Sequence, residues 1–342
     1  MKTEITELFG IKHPILLSGM SWVSTPEMVA AVSNAGGLGI LATGVYGAKQ
    51  TREAVRKIRQ LTDKPFGANA TLYFPGAREN AQVLLDEQVP IINVSMGKGD
   101  WIVDAAKSYG GRVIATVVNA KHAKAAESWG AHALLVTGHE AAAHGGDVTT
   151  MVLVPTLVDA VSIPVVAAGG IADGRGLAAA LALGAQGVAM GTRLMLTKES
   201  PVAQAAKDAA LKASPYDTIY SSRFDGQPCR ILKAPGAQKA VKRGLDLPRA
   251  FLNSRQIAEM MDVPYLKLAL GVAASGPKNI EKMAFMANAF KGFELACADG
   301  NLDKGALPIG QIAGLIQDLP TVSELVERTV AEAEAIFKAR AQ

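Results

Sequence analysis

The sequence predicts a (β/α)8 barrel, the TIM-barrel architecture, with a mainly helical insertion after its eighth strand. Eight short apolar runs alternate with helix-patterned stretches through the first 200 residues. That order builds a parallel sheet with helices outside it. The runs are mostly continuous rather than alternating in polarity, as strands buried on both faces are. A third observation removes the main competitor. An open dinucleotide-binding sheet places Gly-x-Gly-x-x-Gly after its first strand, whereas here Ser18-Gly19-Met20-Ser21-Trp22 follows.

The strand runs are Ile15-Leu16-Leu17, then 38–41, 66–69, 91–94, 113–117, 133–136, 164–167 and 187–190, mostly rich in β-branched and aliphatic residues. Thr25-Pro26 reads as an N-cap followed by proline at the first helical position, opening a helix over 26–35. Further helices are expected over 49–61, 77–88, 101–109, 120–129, 150–161 and 174–183. After Ser200 the rhythm changes to helix-prone sequence, with loops at Asp225-Gly226-Gln227-Pro228 and Ser275-Gly276-Pro277. Met260, Met261, Met283, Met286, Phe285, Phe290 and Phe293 concentrate there. Helical core packing is their ordinary meaning; the functional one is an apolar lid over the barrel mouth. The expected division is a barrel over 1–200, a lid or substrate insertion over 201–300, and a segment over 301–342 that returns to the barrel.

Of the 342 residues, 49% are hydrophobic and 19% charged, enough for a large core and against disorder. A net charge of +4, without a basic tract carrying aromatics, gives no reason to expect nucleic acid. It supports a weak bias toward anionic ligands. Cys229 and Cys297 have neither metal nor redox spacing and read as free thiols in a reducing cytoplasm. No zinc-type histidine spacing occurs, and no metal is expected. No apolar stretch is long enough for a signal core or a membrane span, so a cytoplasmic protein away from membranes is expected. A homodimer is compatible with the sequence, which leaves the oligomeric state open.

Barrel enzymes carry their chemistry on the loops after the strands. After strand seven comes Ala168-Gly169-Gly170-Ile171, and after strand eight Met190-Gly191-Thr192-Arg193. Glycines let backbone N–H groups approach an anion, and helix N-termini add a favourable dipole. These loops are therefore phosphate-site candidates, against the alternative of plain tight turns. The loop after strand six, Thr137-Gly138-His139-Glu140-Ala141-Ala142-Ala143-His144, puts a histidine among small residues at the mouth. His144 can serve as acid, base or hydrogen-bond donor near neutral pH; a surface or capping role weighs about equally from position alone. His139 is a weaker candidate, His13 lies at the wrong end of the barrel, His122 reads as helix surface and His132 as the start of a strand. Asn69, ending strand three, offers amide donors and an acceptor to a ring edge.

Together these segments resemble the nitronate monooxygenase (2-nitropropane dioxygenase) superfamily of FMN-dependent barrels. The resemblance covers nearly the whole chain. It rests on His13-Pro14-Ile15 with Gly19-Met20 and Trp22-Val23, on 32–39, on Lys64-Pro65-Phe66-Gly67 with Asn69, on His144-Gly145, on 164–174, on Gly191-Thr192-Arg193, and on Gly310-Gln311 with Gly314. It implies that Gly169, Gly170, Gly191 and Thr192 hold the FMN phosphate. Gly19, Met20 and Asn69 would lie along the isoalloxazine ring, His144 would be the active-site histidine, and Gln311 would sit on a loop returning to the flavin. Ser18 and Thr137 complete the cofactor positions, although both depart from the family's usual residues there. Ala142 and Ala143 depart too, replacing Gly-Gly before the histidine. Met20-Ser21-Trp22-Val23, Thr149-Thr150-Met151 and the segment Asp225 to Arg230 place the chain nearer the enoyl-thioester reductase branch.

The implied activity is an FMN oxidoreductase that takes hydride from NAD(P)H and passes it to an electron-poor acceptor. An enoyl thioester of coenzyme A or acyl-carrier protein, or a quinone, would be that acceptor. The basic residues Lys233, Lys239, Lys242 and Arg243 could meet its phosphates, although a solvated charge run is commoner. Nitronate oxidation with O2 is the alternative. A non-catalytic barrel binding flavin or a phosphate ligand is a third reading, from another class.

Overall fold

A computed structural model describes residues 1–73, 76–142, 144–260 and 263–341. Ala143 and Met261, both named above, fall outside the described residues. Each predicted strand forms within a residue or two. They are β1 (Ile15–Leu17), β2 (Gly39–Ala42), β3 (Phe66–Thr71), β4 (Ile91–Ser95), β5 (Arg112–Val117), β6 (Ala133–Thr137), β7 (Val165–Ala168) and β8 (Gly187–Met190). All eight pair in parallel, in the sheet order β1-β8-β7-β6-β5-β4-β3-β2. The remaining seam closes where Leu17 N donates to Leu38 O at 2.9 Å and Leu38 N to Ile15 O at 2.9 Å. The chain is a (β/α)8 barrel.

Helix α1 (Glu4–Phe9) precedes β1, and the helices between the strands are α2 (Pro26–Asn34), α3 (Ala48–Leu61), α4 (Ala77–Asp86), α5 (Asp100–Ala106), α6 (Ala120–Ser128), α7 (Thr150–Val158) and α8 (Gly174–Ala182). The expected Thr25 cap opens α2, with its hydroxyl accepting from Met28 N. Inside the barrel, Leu16, Leu38, Ile40, Ile91, Ile114, Leu135, Val166 and Ala189 form one apolar cluster. Ile5, Phe9 and Ile11 join that cluster, so α1 and the turn after it plug the N-terminal end. Burial of this kind is worth about 1.5–3 kcal/mol per large side chain. It makes the barrel interior a packed core.

After β8 the chain forms α9 (Thr192–Met195) and α10 (Gln204–Leu211). It then makes a β-hairpin, β9 (Thr218–Ser221) with β10 (Cys229–Leu232), followed by α11 (Pro235–Arg243), α12 (Leu247–Met260), α13 (Tyr265–Ala274) and α14 (Pro277–Cys297). The hairpin is absent from the sequence expectation, which placed only a loop at Asp225 to Pro228. The last helix, α15 (Val322–Arg340), packs against α8 and α2, where a barrel's eighth helix belongs. Its approach to α8 is close: a Cβ on Gly174 would sit 2.5 Å from Glu332 Cβ and 2.6 Å from Thr329 O. Among the described residues, no helix is long and apolar enough to cross a membrane.

Candidate active site

Strand periodicity decides what faces the mouth. Side chains two apart share a face, so the interior positions Leu16, Ile91, Ile114 and Leu135 are followed by Ser18, Asn93, Thr116 and Thr137. Asn69 lies in register with Asn93 and joins the same layer. The interior thus turns polar in its last layer. Asn69 Nδ2 donates to Asn93 Oδ1 at 2.7 Å and to Ser95 Oγ at 3.3 Å, and its Oδ1 accepts from the Thr71 hydroxyl. Asn93 Nδ2 in turn donates to Thr116 Oγ1 at 3.0 Å. The Asn69 amide, expected to meet a ring edge, is therefore buried and already partnered within a polar row across β3, β4 and β5.

The predicted loops converge around this layer. The Cβ position of Gly19 would lie 2.7 Å from Asn69 Cβ, and that of Gly191 3.3 Å from the Met20 sulfur. Gly169 and Gly170 have φ of 101° and 74°, the left-handed region that glycine adopts without strain. Thr192 is buried, and its hydroxyl oxygen accepts from Gly310 N at 2.9 Å, which leaves the hydroxyl proton to donate elsewhere. Gln311 N donates to Glu140 O at 3.0 Å, drawing the C-terminal loop onto the loop after β6. Loops after β1, β6, β7 and β8 and the Gly310-Gln311 segment thus meet at one end of the barrel. Side chains added at the left-handed glycines after β7 would be strained, and those glycines, with the Thr192 hydroxyl after β8, are of the kind that suits a phosphate group.

The loop after β6 is fastened from two directions. The Glu140 carboxylate accepts from Thr150 N at 2.8 Å and from Thr150 Oγ1 at 2.9 Å, a charged cap where α7 begins. From the insertion, Tyr220 donates its hydroxyl to Gly145 O at 2.9 Å. Arg230, buried, donates through Nη2 to His139 O at 2.9 Å and lies over the Tyr220 ring. Burial pushes the Arg230 pKa down from the ordinary guanidinium value. His139 Nδ1 lies 3.0 Å from Gly146 O, and its ring meets Tyr220 edge-on. A carbonyl can only accept, so that nitrogen carries the proton, and His139 braces the loop from within.

His144 stands apart. Its Nε2 lies 2.6 Å from Asp225 Oδ2, and the side chains are 39% and 6% exposed respectively. A buried carboxylate therefore holds an imidazole that remains partly exposed. Asp225 is itself fixed, since its Oδ1 accepts from Gln227 N at 3.0 Å, and the Cys229 thiol lies close by. Nothing in the sequence pairs residues 81 positions apart, and sequence reasoning gave no role to Asp225, Tyr220, Arg230, Glu140 or Asn93. The inserted α14 also reaches the mouth: Phe290 meets Trp22 edge-on with centroids 5.2 Å apart, and Phe293 meets Phe224 at 5.0 Å. Trp22 has φ of 61°, costly backbone for a bulky residue. His13 and His132, away from the mouth, are held below the usual imidazole pKa by burial first.

The family model described as nitronate monooxygenase matches residues 2–83 and 73–332. The chain belongs to the nitronate monooxygenase family. Family members to which it is similar include a (3aS,4S,5R,7aS)-5-hydroxy-7a-methyl-1-oxo-octahydro-1H-indene-4-carboxyl-CoA dehydrogenase from Rhodococcus jostii. The two are 39% identical over 97% of this chain and 96% of that one. Among solved structures, FabK from Thermotoga maritima is 36% identical with a TM-score of 0.84, covering 100% of this chain and 99% of that one. A nitroalkane oxidase from Streptomyces ansochromogenes is 26% identical with a TM-score of 0.78, over 98% and 99%. This family member is an oxidoreductase near the enoyl-reductase branch.

Proposed function

We propose that the protein is an FMN-dependent oxidoreductase that moves hydride between NAD(P)H and an acyl thioester whose carbon–carbon double bond is conjugated to the carbonyl. The observation that carries this reading is the Asp225-held His144 at the mouth, on a loop clamped by the insertion. Similarity to a carboxyl-CoA dehydrogenase and to FabK, each over nearly the full chain, supports the thioester class. When bound, FMN supplies the hydride carrier. Gly169, Gly170, Gly191 and Thr192 would hold its phosphate, and Ser18, Gly19, Met20, Asn69, Thr137 and Gln311 would surround the rest.

His144 then holds or donates a proton at the substrate oxygen as charge develops there. With the Nε2 proton given to Asp225, Nδ1 is the nitrogen left for the substrate, and it donates there while it too carries a proton. The inserted helices, seated on Trp22 through Phe290, act as a lid that excludes water from a bulky acyl group. Lys242 and Arg243, which end α11, would meet the phosphates of the thioester.

The test is anaerobic mixing of FMN-loaded protein with NADH or NADPH, followed by an enoyl-CoA. Loss of flavin colour and its return support the reading. His144→Ala should leave flavin bound and reducible while slowing the return by roughly 10²–10⁴-fold, the scale of a positioned acid or base. The second reading, nitronate oxidation with O2, is favoured by the family model and the nitroalkane oxidase likeness. Colour unchanged by either nicotinamide, together with oxygen uptake on alkyl nitronates, would replace the first reading with the second.

A further inference from the structure

Three donors of different chemistry meet where the hairpin loop faces the barrel mouth. The ligand atoms of His144, Asp225 and Cys229 all lie within 4.8 Å of one another. They come from two segments joined only by folding: the loop after β6, and the two sides of the Gly226-Gln227-Pro228 turn. We propose that these side chains form a site for a divalent transition metal of the zinc type, and that filling it withdraws His144 from the reaction.

The donor set selects the ion. Nitrogen, oxygen and sulfur together suit zinc, whereas magnesium and calcium take oxygen alone. A carboxylate and a thiolate match the charge of a dication. Three protein ligands with the fourth position open toward solvent is the arrangement of reactive rather than structural zinc, and the exposed side here is that of His144. Asp225 Oδ1 is already occupied by Gln227 N, so Oδ2 is the oxygen left for a metal, with its direction set by that outer contact. Tetrahedral bonds of about 2.0–2.3 Å place ligand atoms roughly 3.3–3.7 Å apart. The 2.6 Å His144–Asp225 contact would therefore open by about 1 Å, which an exposed side chain on a loop can supply.

Without metal, burial first and Asp225 next push the Cys229 thiol well above its usual pKa, while Arg230 works the other way. The sulfur then keeps its proton. Metal binding would release that proton to solvent, and the Nε2 proton of His144 would leave with it as Nε2 takes the metal; the bound ring keeps only its Nδ1 proton, which it could give up only by becoming an imidazolate, so it no longer serves as an acid. No electrons move. Metal binding stands on this geometry alone; the loss of activity rests on the role given to His144 above.

The experiment uses FMN-loaded protein stripped of metal by a chelator and titrated with Zn2+ against a chromophoric competitor. One zinc per chain is expected. Cys229→Ser and Asp225→Asn should each weaken binding by on the order of 100-fold, with folding checked by flavin content and melting. Co2+ should give tetrahedral bands and a thiolate charge-transfer band that Cys229→Ser removes. Zinc should inhibit the wild-type enzyme but leave Cys229→Ser at its own zinc-free rate. Absence of stoichiometric zinc, or unchanged affinity in both variants, overturns the site, and full occupancy without inhibition overturns its effect on His144. Because affinity is read without turnover, failure of the thioester reading leaves the metal result intact.

Discussion

Replacing Asp225 with Asn tests whether the insertion builds the reaction centre or merely covers it. A hydrogen bond to an ionised acceptor is worth about 1.5–3 kcal/mol, and a neutral one about 0.5–1.5. Asn keeps the shape and an accepting oxygen but loses the charge, so about 1–1.5 kcal/mol of His144 orientation should go. At 1.4 kcal/mol per factor of ten, substrate-dependent reoxidation should slow roughly 5- to 15-fold. Asp225→Ala removes the whole contact and should cost roughly 10- to 150-fold. Flavin content and the rate of reduction by nicotinamide should not change, because Asp225 acts through His144. Stopped-flow absorbance under anaerobic conditions separates the two half-reactions. A double-mutant cycle sharpens the test: in a His144→Ala background, Asp225→Asn should add almost nothing. A further full loss there, or equal slowing of both half-reactions, would refute the orienting role.

Gly170→Asp should lose FMN while Gly170→Asn keeps more of it, as read from the flavin-to-protein absorbance ratio. Both residues tolerate left-handed backbone, but only Asp adds charge beside the phosphate cradle, where a Cβ would already lie 3.7 Å from the Glu140 side chain. Gly174→Ala should lower stability by about 1–3 kcal/mol through the collision with α15, seen as a lower melting temperature with unchanged flavin binding. Trp22→Ala removes an aromatic contact worth about 0.5–1.5 kcal/mol between the mouth and the lid. It should raise KM for a long acyl thioester and leave reduction by nicotinamide unaffected.

The barrel was legible because strands buried on both faces must be apolar throughout, and their runs stand out against the polar-striped helices. The glycine loops were legible because φ values such as those of Gly169 and Gly170 belong to glycine almost alone. The resemblance picked His144 out from His139, and folding supplied the physical ground: one imidazole is spent on a carbonyl within its own loop, the other is held by a distant carboxylate. The hairpin escaped notice because β9 is half-buried and short, and its Tyr220 and Arg230 look like ordinary surface residues until they reach the loop after β6. The hydrogen bonds of Asn69 were hidden for a related reason, since its partners Asn93 and Ser95 lie on another strand, in a register that only pairing defines.

By itself, then, the sequence determined the (β/α)8 framework and the glycines of the loops after β7 and β8, which follow from local pattern and backbone preference. Only the tertiary structure decided that α15 closes the helical ring, that Asp225 holds His144, and that Cys229 lies beside both. Those contacts join residues far apart in the chain, and no local preference encodes a distance between segments that packing alone brings together.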